Sequence, residues 1–335
     1  MPGGLPALAR RVVGALALLW LVVTLTFVLV RLAPGDAAAL LLPPTGDAAD
    51  LARLRATLGL DAPMPAQYAR WLAATLRGDL GASFAQGRPV RALLAEALPA
   101  TLLLGGLSLA LSFALGVLIG AVQAIAHARG DRRGRRADAA ITTLTTVLYA
   151  APSFWLALGA IALFTAGAAR WGLPAWLRLP AFGVEDPAGE LRGWSAVVDR
   201  ARHLVLPVTV LAAVGAAGIA RYARAALLDA LGGDFVRTAR AKGLAPRAVY
   251  LRHALRVALP PLVVLLALAL PGVVAGSVFV EHVFAWPGMG RAMVQAIAAR
   301  DYPVVLGATV LYAALTLAAN LAADLALPWL DPRRR

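Results

Sequence analysis

Long uncharged runs alternate along this chain with short charged segments. Six runs, near 12–30, 100–126, 141–166, 204–226, 257–280 and 304–327, are strongly apolar. Each is long enough to cross a bilayer, which takes about 20 residues at about 1.5 Å per residue. The pattern predicts an all-α integral membrane protein with six transmembrane helices. Arg10 and Arg11 precede the first run, and Ala37 to Ala39 resemble a signal-peptide cleavage site. The 19 residues of that run exceed the roughly 7–15 of a signal sequence, which favours an uncleaved anchor.

Polar positions inside the runs are few. In the second run Ser108, Ser112, Gly116 and Gly120 recur every fourth residue, a stripe of small side chains that lets a neighbouring helix approach closely. In the sixth, Asp324 follows Asn320 by one turn. Its place near one end suits pairing with an interfacial arginine, with substrate contact as the other reading. No run of buried acids or histidines suggests a proton relay, and no acidic ring suggests a channel filter.

The segments between the runs carry their own patterns. Within 47–81, Leu51, Leu54 and Leu58, then Tyr68, Leu72 and Leu76, have helical spacing, which predicts short helices. Segment 221–256 is rich in Ala, Leu and Arg. There Gly232 and Gly233 can end one helix, Asp234 can cap the next, and Gly243 suits the left-handed residue that closes it. Pro246 fits the first turn of a further helix. Helix, sharp turn and helix make a knob in which Ala239, Ala241 and Leu244 can enter a groove and Arg237, Arg240 and Lys242 can ring it. An amphipathic helix lying on lipid explains the same residues.

Composition narrows the class. The 335 residues are 60% hydrophobic and 15% charged, with mean hydropathy +0.74 and net charge +14. Loop topology accounts for that charge better than nucleic acid does. The segments 1–11, 127–140, 221–256 and 331–335 hold 18 of the 32 Lys and Arg in 66 residues, which by the positive-inside rule puts both termini in the cytoplasm. RGDRRGRR at 129–136 and Arg333 to Arg335 contribute much of the bias. They serve as topological anchors or as a contact for anionic lipid. The absence of cysteine excludes disulfides, thiolate metal sites and cysteine nucleophiles. Four histidines and no HExxH, GxSxG or GxxxxGK[ST] leave no catalytic constellation, metal site or nucleotide site, so an enzyme is not expected.

RTARAKGL at 237–244, followed by HALR at 253–256, resembles the cytoplasmic motif of permease subunits of ATP-binding cassette importers, in the dipeptide, oligopeptide, nickel and opine branch. Against the family's general pattern, Arg237 stands at the glutamate, Thr238 and Ala239 at the two alanines, His253 at the isoleucine and Arg256 at the proline. Those departures are the ones the peptide branch makes. The resemblance continues in FVLVRLAPGD at 27–36, in LGLDAPMPAQYARWLAATLRGDLGAS at 58–83, in FAWPGMG at 284–290, in RDYPVV at 300–305, in NLAAD at 320–324 and in LDPR at 330–333. Segment 167–203 matches no such string, and its Trp171, Trp176 and Trp194 are read as membrane-interface anchors.

The resemblance implies the type I importer permease fold in a bacterial or archaeal inner membrane. It implies residues 1–98 as the first transmembrane helix with an outer helical segment. Residues 99–330 follow as a five-helix core with coupling loop 221–256, and 331–335 as a basic tail. The chain itself binds no cofactor, and ATP and Mg belong to two partner ATPase subunits. A second permease subunit, often non-identical, completes the pathway, and an extracytoplasmic binding protein delivers the solute. Arg237, Ala239, Arg240, Ala241, Lys242, Gly243 and Leu244 become the element coupled to the ATPase. A secondary carrier and a non-transporting membrane scaffold remain as alternatives. The residues do not choose among dipeptide, oligopeptide, glutathione, nickel chelate and opine.

Overall fold

A computed structural model describes residues 5–32, 38, 47–186, 192–275 and 278–330. Helix α1 is Leu5–Leu32, and α2 is Ala48–Thr57. A capping box starts α2, with Asp47 accepting from the Asp50 amide and Asp50 from the Asp47 amide. Helix α3, Met64–Leu76, opens with a proline in its first turn. These two short helices are those the spacing within 47–81 predicts. Helix α4, Val90–Ala128, is followed by α5, Arg132–Ala150, whose N-cap Asp131 accepts from the Gly134 amide at 2.7 Å. Helix α6 is Ser153–Ile161 and runs through a π-helical turn, Ala162–Ala166. Helix α7, Trp194–Leu231, stops at Gly232, and α8 is Asp234–Ala241. A short turn, Pro246–Ala248, and a π-helical segment, Val249–Ala254, lead into α9, Leu255–Ala275. Then come α10, Val278–Val283, α11, Met289–Ala298, and α12, Tyr302–Leu330.

Among the described residues, five helices are single stretches long and apolar enough to span a membrane: Arg10–Leu32, Val90–Ala128, Trp194–Leu231, Pro246–Val273 and Tyr302–Leu325. The third predicted run, 141–166, is instead divided between α5 and α6, which meet at a bend of 98°. Pro152 explains the break. Its ring disfavours helical geometry in the residue before it, and Ala151 is extended at φ −71°, ψ 131°. Counted as one span, the bent pair brings the total to six.

The chain forms two compact units. The first comprises Met1–Thr101 and Pro287–Ala318. It therefore takes in α11 and the start of α12, which the sequence assigns to the core after residue 98. Its interior packs Val90, Leu94 and Ala97 of α4 against Met289 and Ala296 of α11 and Val304, Val305 and Ala308 of α12. Gly307 permits that approach, because a Cβ there would lie 2.7 Å from Val90 Cγ1. Helix α3 is pinned to α1 by aromatic contacts, the Phe27 ring lying 5.2 Å from Tyr68 and 5.3 Å from Trp71. Thr24 Oγ1 and the Tyr68 hydroxyl share a 2.6 Å hydrogen bond. Elsewhere α1 exposes Val13, Leu16, Trp20, Leu25 and Leu29, a surface suited to lipid.

The second unit comprises Leu102–Trp286 and Ala319–Arg335. Here the small-residue stripe of α4 lies against α7. A Cβ on Gly116 would sit 2.6 Å from Ile219 Cβ, and one on Gly120 would sit 2.6 Å from the Ala220 carbonyl oxygen. Ser108 and Ser112 are buried in the same face. Deeper contacts join Ala124, Leu227, Ala230, Ala254 and Ala258 in one cluster. Ala157, Leu206, Val210, Val280 and Phe284 form another. Because the groups around Gly120 include backbone of α7, they cannot yield by a rotamer change. Gly120→Val is expected to destabilise the chain by about 3 kcal/mol or more through overpacking, read as a lowered midpoint of thermal unfolding in detergent. Gly106→Ala, where nothing lies within 4 Å, should leave that midpoint unchanged.

Candidate coupling element and its supports

Helix α8 ends in two backbone hydrogen bonds, from the Leu244 amide to the Ala239 carbonyl at 3.3 Å and from the Gly243 amide to the Arg240 carbonyl at 3.0 Å. That pair is a Schellman motif, and it requires a left-handed residue between the donors' partners and the departing chain. Gly243 supplies it at φ +74°. Pro246 then opens the next helical turn, whose fixed φ suits that position. The result is a short exposed helix, a tight reversal and a second helix that feeds directly into span α9.

Two expectations for this element change. Asp234 does not cap α8: Gly233 holds the cap position in extended geometry at ψ 151°, and Asp234 lies inside the first turn with no side-chain cap bond. A carboxylate there still opposes the positive end of the helix dipole. Ala239 does not face outward either. It is buried with Val236 and Val249, against Leu231, and so fixes the knob to its base. The outward face carries Phe235, Arg237, Thr238, Arg240, Ala241, Lys242, Gly243 and Leu244, all exposed. Apolar Phe235 and Leu244 thus share the exposed surface of this element with three cations, Arg237, Arg240 and Lys242.

Beneath the knob, three helices are tied by an ion cluster that the sequence reading missed. Asp138 of α5 accepts from Arg224 of α7 in bidentate fashion, at 2.8 Å from Nε and 2.6 Å from Nη2. His127, at the end of α4, lies 3.0 Å from the same carboxylate. Asp138 is buried and Arg224 half-buried, so this pair is less screened than a surface one. Only the bias of basic residues toward this side hinted at it.

The first unit holds a second missed cluster, made of residues in two of the quoted motifs. Asp301 is 2% exposed. It accepts from Ser83 Oγ, from the Phe84 amide at 3.0 Å and from the Ala85 amide at 3.2 Å. Ser83 Oγ in turn accepts from the Gln86 amide at 2.9 Å. Thr101 Oγ1 accepts from the Met289 amide at 2.8 Å. The GDLGAS and RDYPVV strings are thus two halves of one joint.

Of the remaining sequence candidates, Asn320 is exposed and Asp324 half-buried, one turn apart on α12. Trp171, Trp176 and Trp194 are exposed, as interface anchors would be. Among the described residues no cluster of His, Cys, Asp and Glu could hold a metal ion. Asp331 to Arg335, with the basic tail and the end of LDPR, and residues 33–36 of FVLVRLAPGD lie outside the described residues.

Residues 114–335 match the family described as the binding-protein-dependent transport system inner membrane component, and residues 5–105 match the N-terminal part of such membrane components. The chain belongs to this family. It is 36% identical over 325 residues to the oligopeptide transport system permease protein AppB of Bacillus subtilis, covering 97% of each. It is 39% identical over 330 residues to the oligopeptide transport system permease protein OppB of Mycobacterium tuberculosis, covering 98% of each. With the probable D,D-dipeptide transport system permease protein DdpB of Escherichia coli it shares 37% identity, over 93% of this chain and 92% of that one. The chain is a multi-pass inner-membrane permease component, not an ATPase, and it works in a complex with other subunits.

Proposed function

We propose that this chain forms one half of the pathway of an ATP-driven importer for peptides delivered by an extracytoplasmic binding protein. The near full-length likeness to oligopeptide and dipeptide permeases carries the proposal. In this reading both termini are cytoplasmic, and a second, non-identical permease supplies the other half. Two ATPase subunits hold ATP and Mg, and the knob at 234–244 seats in a groove of one of them. Closure of the ATPase pair displaces the knob. The π-helical segment and α9, continuous with it, carry that displacement into the membrane. A rigid-body switch of this kind needs a stiff knob, which the buried Ala239 and the Schellman turn provide. Segment 47–81, docked on α1 through Tyr68 and Trp71, receives the binding protein.

The test is isolation of the tagged chain from its own membranes in mild detergent, with identification of its companions, followed by uptake of labelled peptides into vesicles loaded with ATP. Co-purification of a second permease, ATPases and a binding protein, with uptake that stops without ATP, is the expected result. Uptake driven by a proton gradient alone would establish a secondary carrier. A complex that hydrolyses ATP but moves no solute, given its binding protein and a range of peptides, would establish the scaffold.

A further inference from the structure

The arginine-rich turn between α4 and α5 is not used by the coupling mechanism. Arg129, Arg132, Arg133, Arg135 and Arg136 are all exposed. The acids beside them are committed elsewhere, Asp131 to the Gly134 amide as helix cap and Asp138 to Arg224 and His127. Arg135 donates to the Gly130 carbonyl, and none of the five makes an ion pair among the described residues. The turn cannot swing freely. A Cβ on Gly134 would collide with the Ala126 carbonyl, so the first turn of α5 is pressed onto the end of α4. The Asp138 cluster then holds α5 to α7.

Depth fixes the partner. From Arg136 to Ile141, where the apolar run begins, is about 8 Å along a helix at 1.5 Å per residue. The headgroup layer of one leaflet is about 5–8 Å thick. Arg136 and its neighbour Arg135 therefore stand near the level of the phosphates, with Arg129, Arg132 and Arg133 beside them on the aqueous side, and arginine bonds phosphate oxygens with a rigid fork of donors. We propose that this turn is a binding site for anionic phospholipid headgroups of the cytoplasmic leaflet, recognised through their phosphodiester charge. The leaflet assignment rests on the orientation given under the proposed function.

The experiment takes the complex the chain forms in its own membrane, transfers it to nanodiscs of equimolar phosphatidylcholine and phosphatidylglycerol, re-extracts it and counts retained lipids by native mass spectrometry. Phosphatidylglycerol should be enriched. Arg132→Gln, Arg133→Gln and Arg136→Gln together should weaken that retention on the order of a hundred-fold, each arginine near the surface being worth about five-fold. The corresponding three lysine substitutions should keep most of the enrichment. Retention that is equal in the glutamine variant overturns the proposal, and so does loss of a protein subunit in place of lipid, which would make the turn a protein contact. Because the chain has no cysteine, Ala137→Cys reports the side of the membrane separately. Labelling by an impermeant maleimide on intact cells would overturn the orientation, whereas protection with unchanged lipid retention would overturn the lipid site alone.

Discussion

Gly243→Val is expected to cut peptide uptake on the order of 30-fold or more while the subunits still assemble and ATP is still hydrolysed. The left-handed backbone at φ +74° costs a β-branched residue about 2–3 kcal/mol, and each 1.4 kcal/mol is about ten-fold in population. Nothing lies within 4 Å of the place a Cβ would take, so the penalty within this chain is torsional and not steric. That separation makes a series informative. Asparagine tolerates the left-handed region, and Gly243→Asn should retain most of the uptake, with Gly243→Ala between. If the glycine instead mattered because a partner's groove admits no side chain, asparagine would be as damaging as valine. Normal uptake by the valine variant, measured in ATP-loaded vesicles, would remove the turn from the coupling mechanism.

What was legible in the sequence was what repeats locally. Apolar runs locate five spans directly, and the turn at Gly243 follows from a glycine and a proline whose backbone preferences leave few conformations. The small-residue stripe was legible for the same reason, since spacing by four puts Ser108, Ser112, Gly116 and Gly120 on one helix face. The third run hid its break because hydropathy averages over the two residues, Ala151 and Pro152, that bend it. The burial of Ala239 is not legible locally, because Leu231 and Val249, which close over it beside Val236, lie outside its own helix. The clusters around Asp138 and Asp301 join positions tens to hundreds of residues apart. No periodicity reports such pairing. The GDLGAS and RDYPVV strings marked both ends of the second joint without showing that they meet.

The Asp301 joint should be the most sensitive point of the first unit. Asp301→Ala leaves Ser83 Oγ and the Phe84 and Ala85 amides without their acceptor. Because Ser83 is buried and Phe84 half-buried, water restores that acceptor poorly. The expected loss is about 3–5 kcal/mol, read as a lower midpoint of thermal unfolding. Asp301→Asn keeps one oxygen but points amide hydrogens at a donor, and it should fall between. Ser83→Ala removes one donor and also the acceptor of the Gln86 amide, for about 1–2 kcal/mol. The two residues act on one bond, so the double variant should cost clearly less than the sum of the singles. Strict additivity would mean that the joint does not exist in the membrane. The functional readout follows from position. Residues 79–90 fold back on themselves, the Val90 amide donating to the Gly81 carbonyl and the Ser83 amide to the Arg88 carbonyl. Asp301 anchors that loop to the start of α12. Loosening it should reduce cross-linking of segment 47–81 to the binding protein and leave co-purification of the ATPase unchanged, because the coupling knob belongs to the other unit.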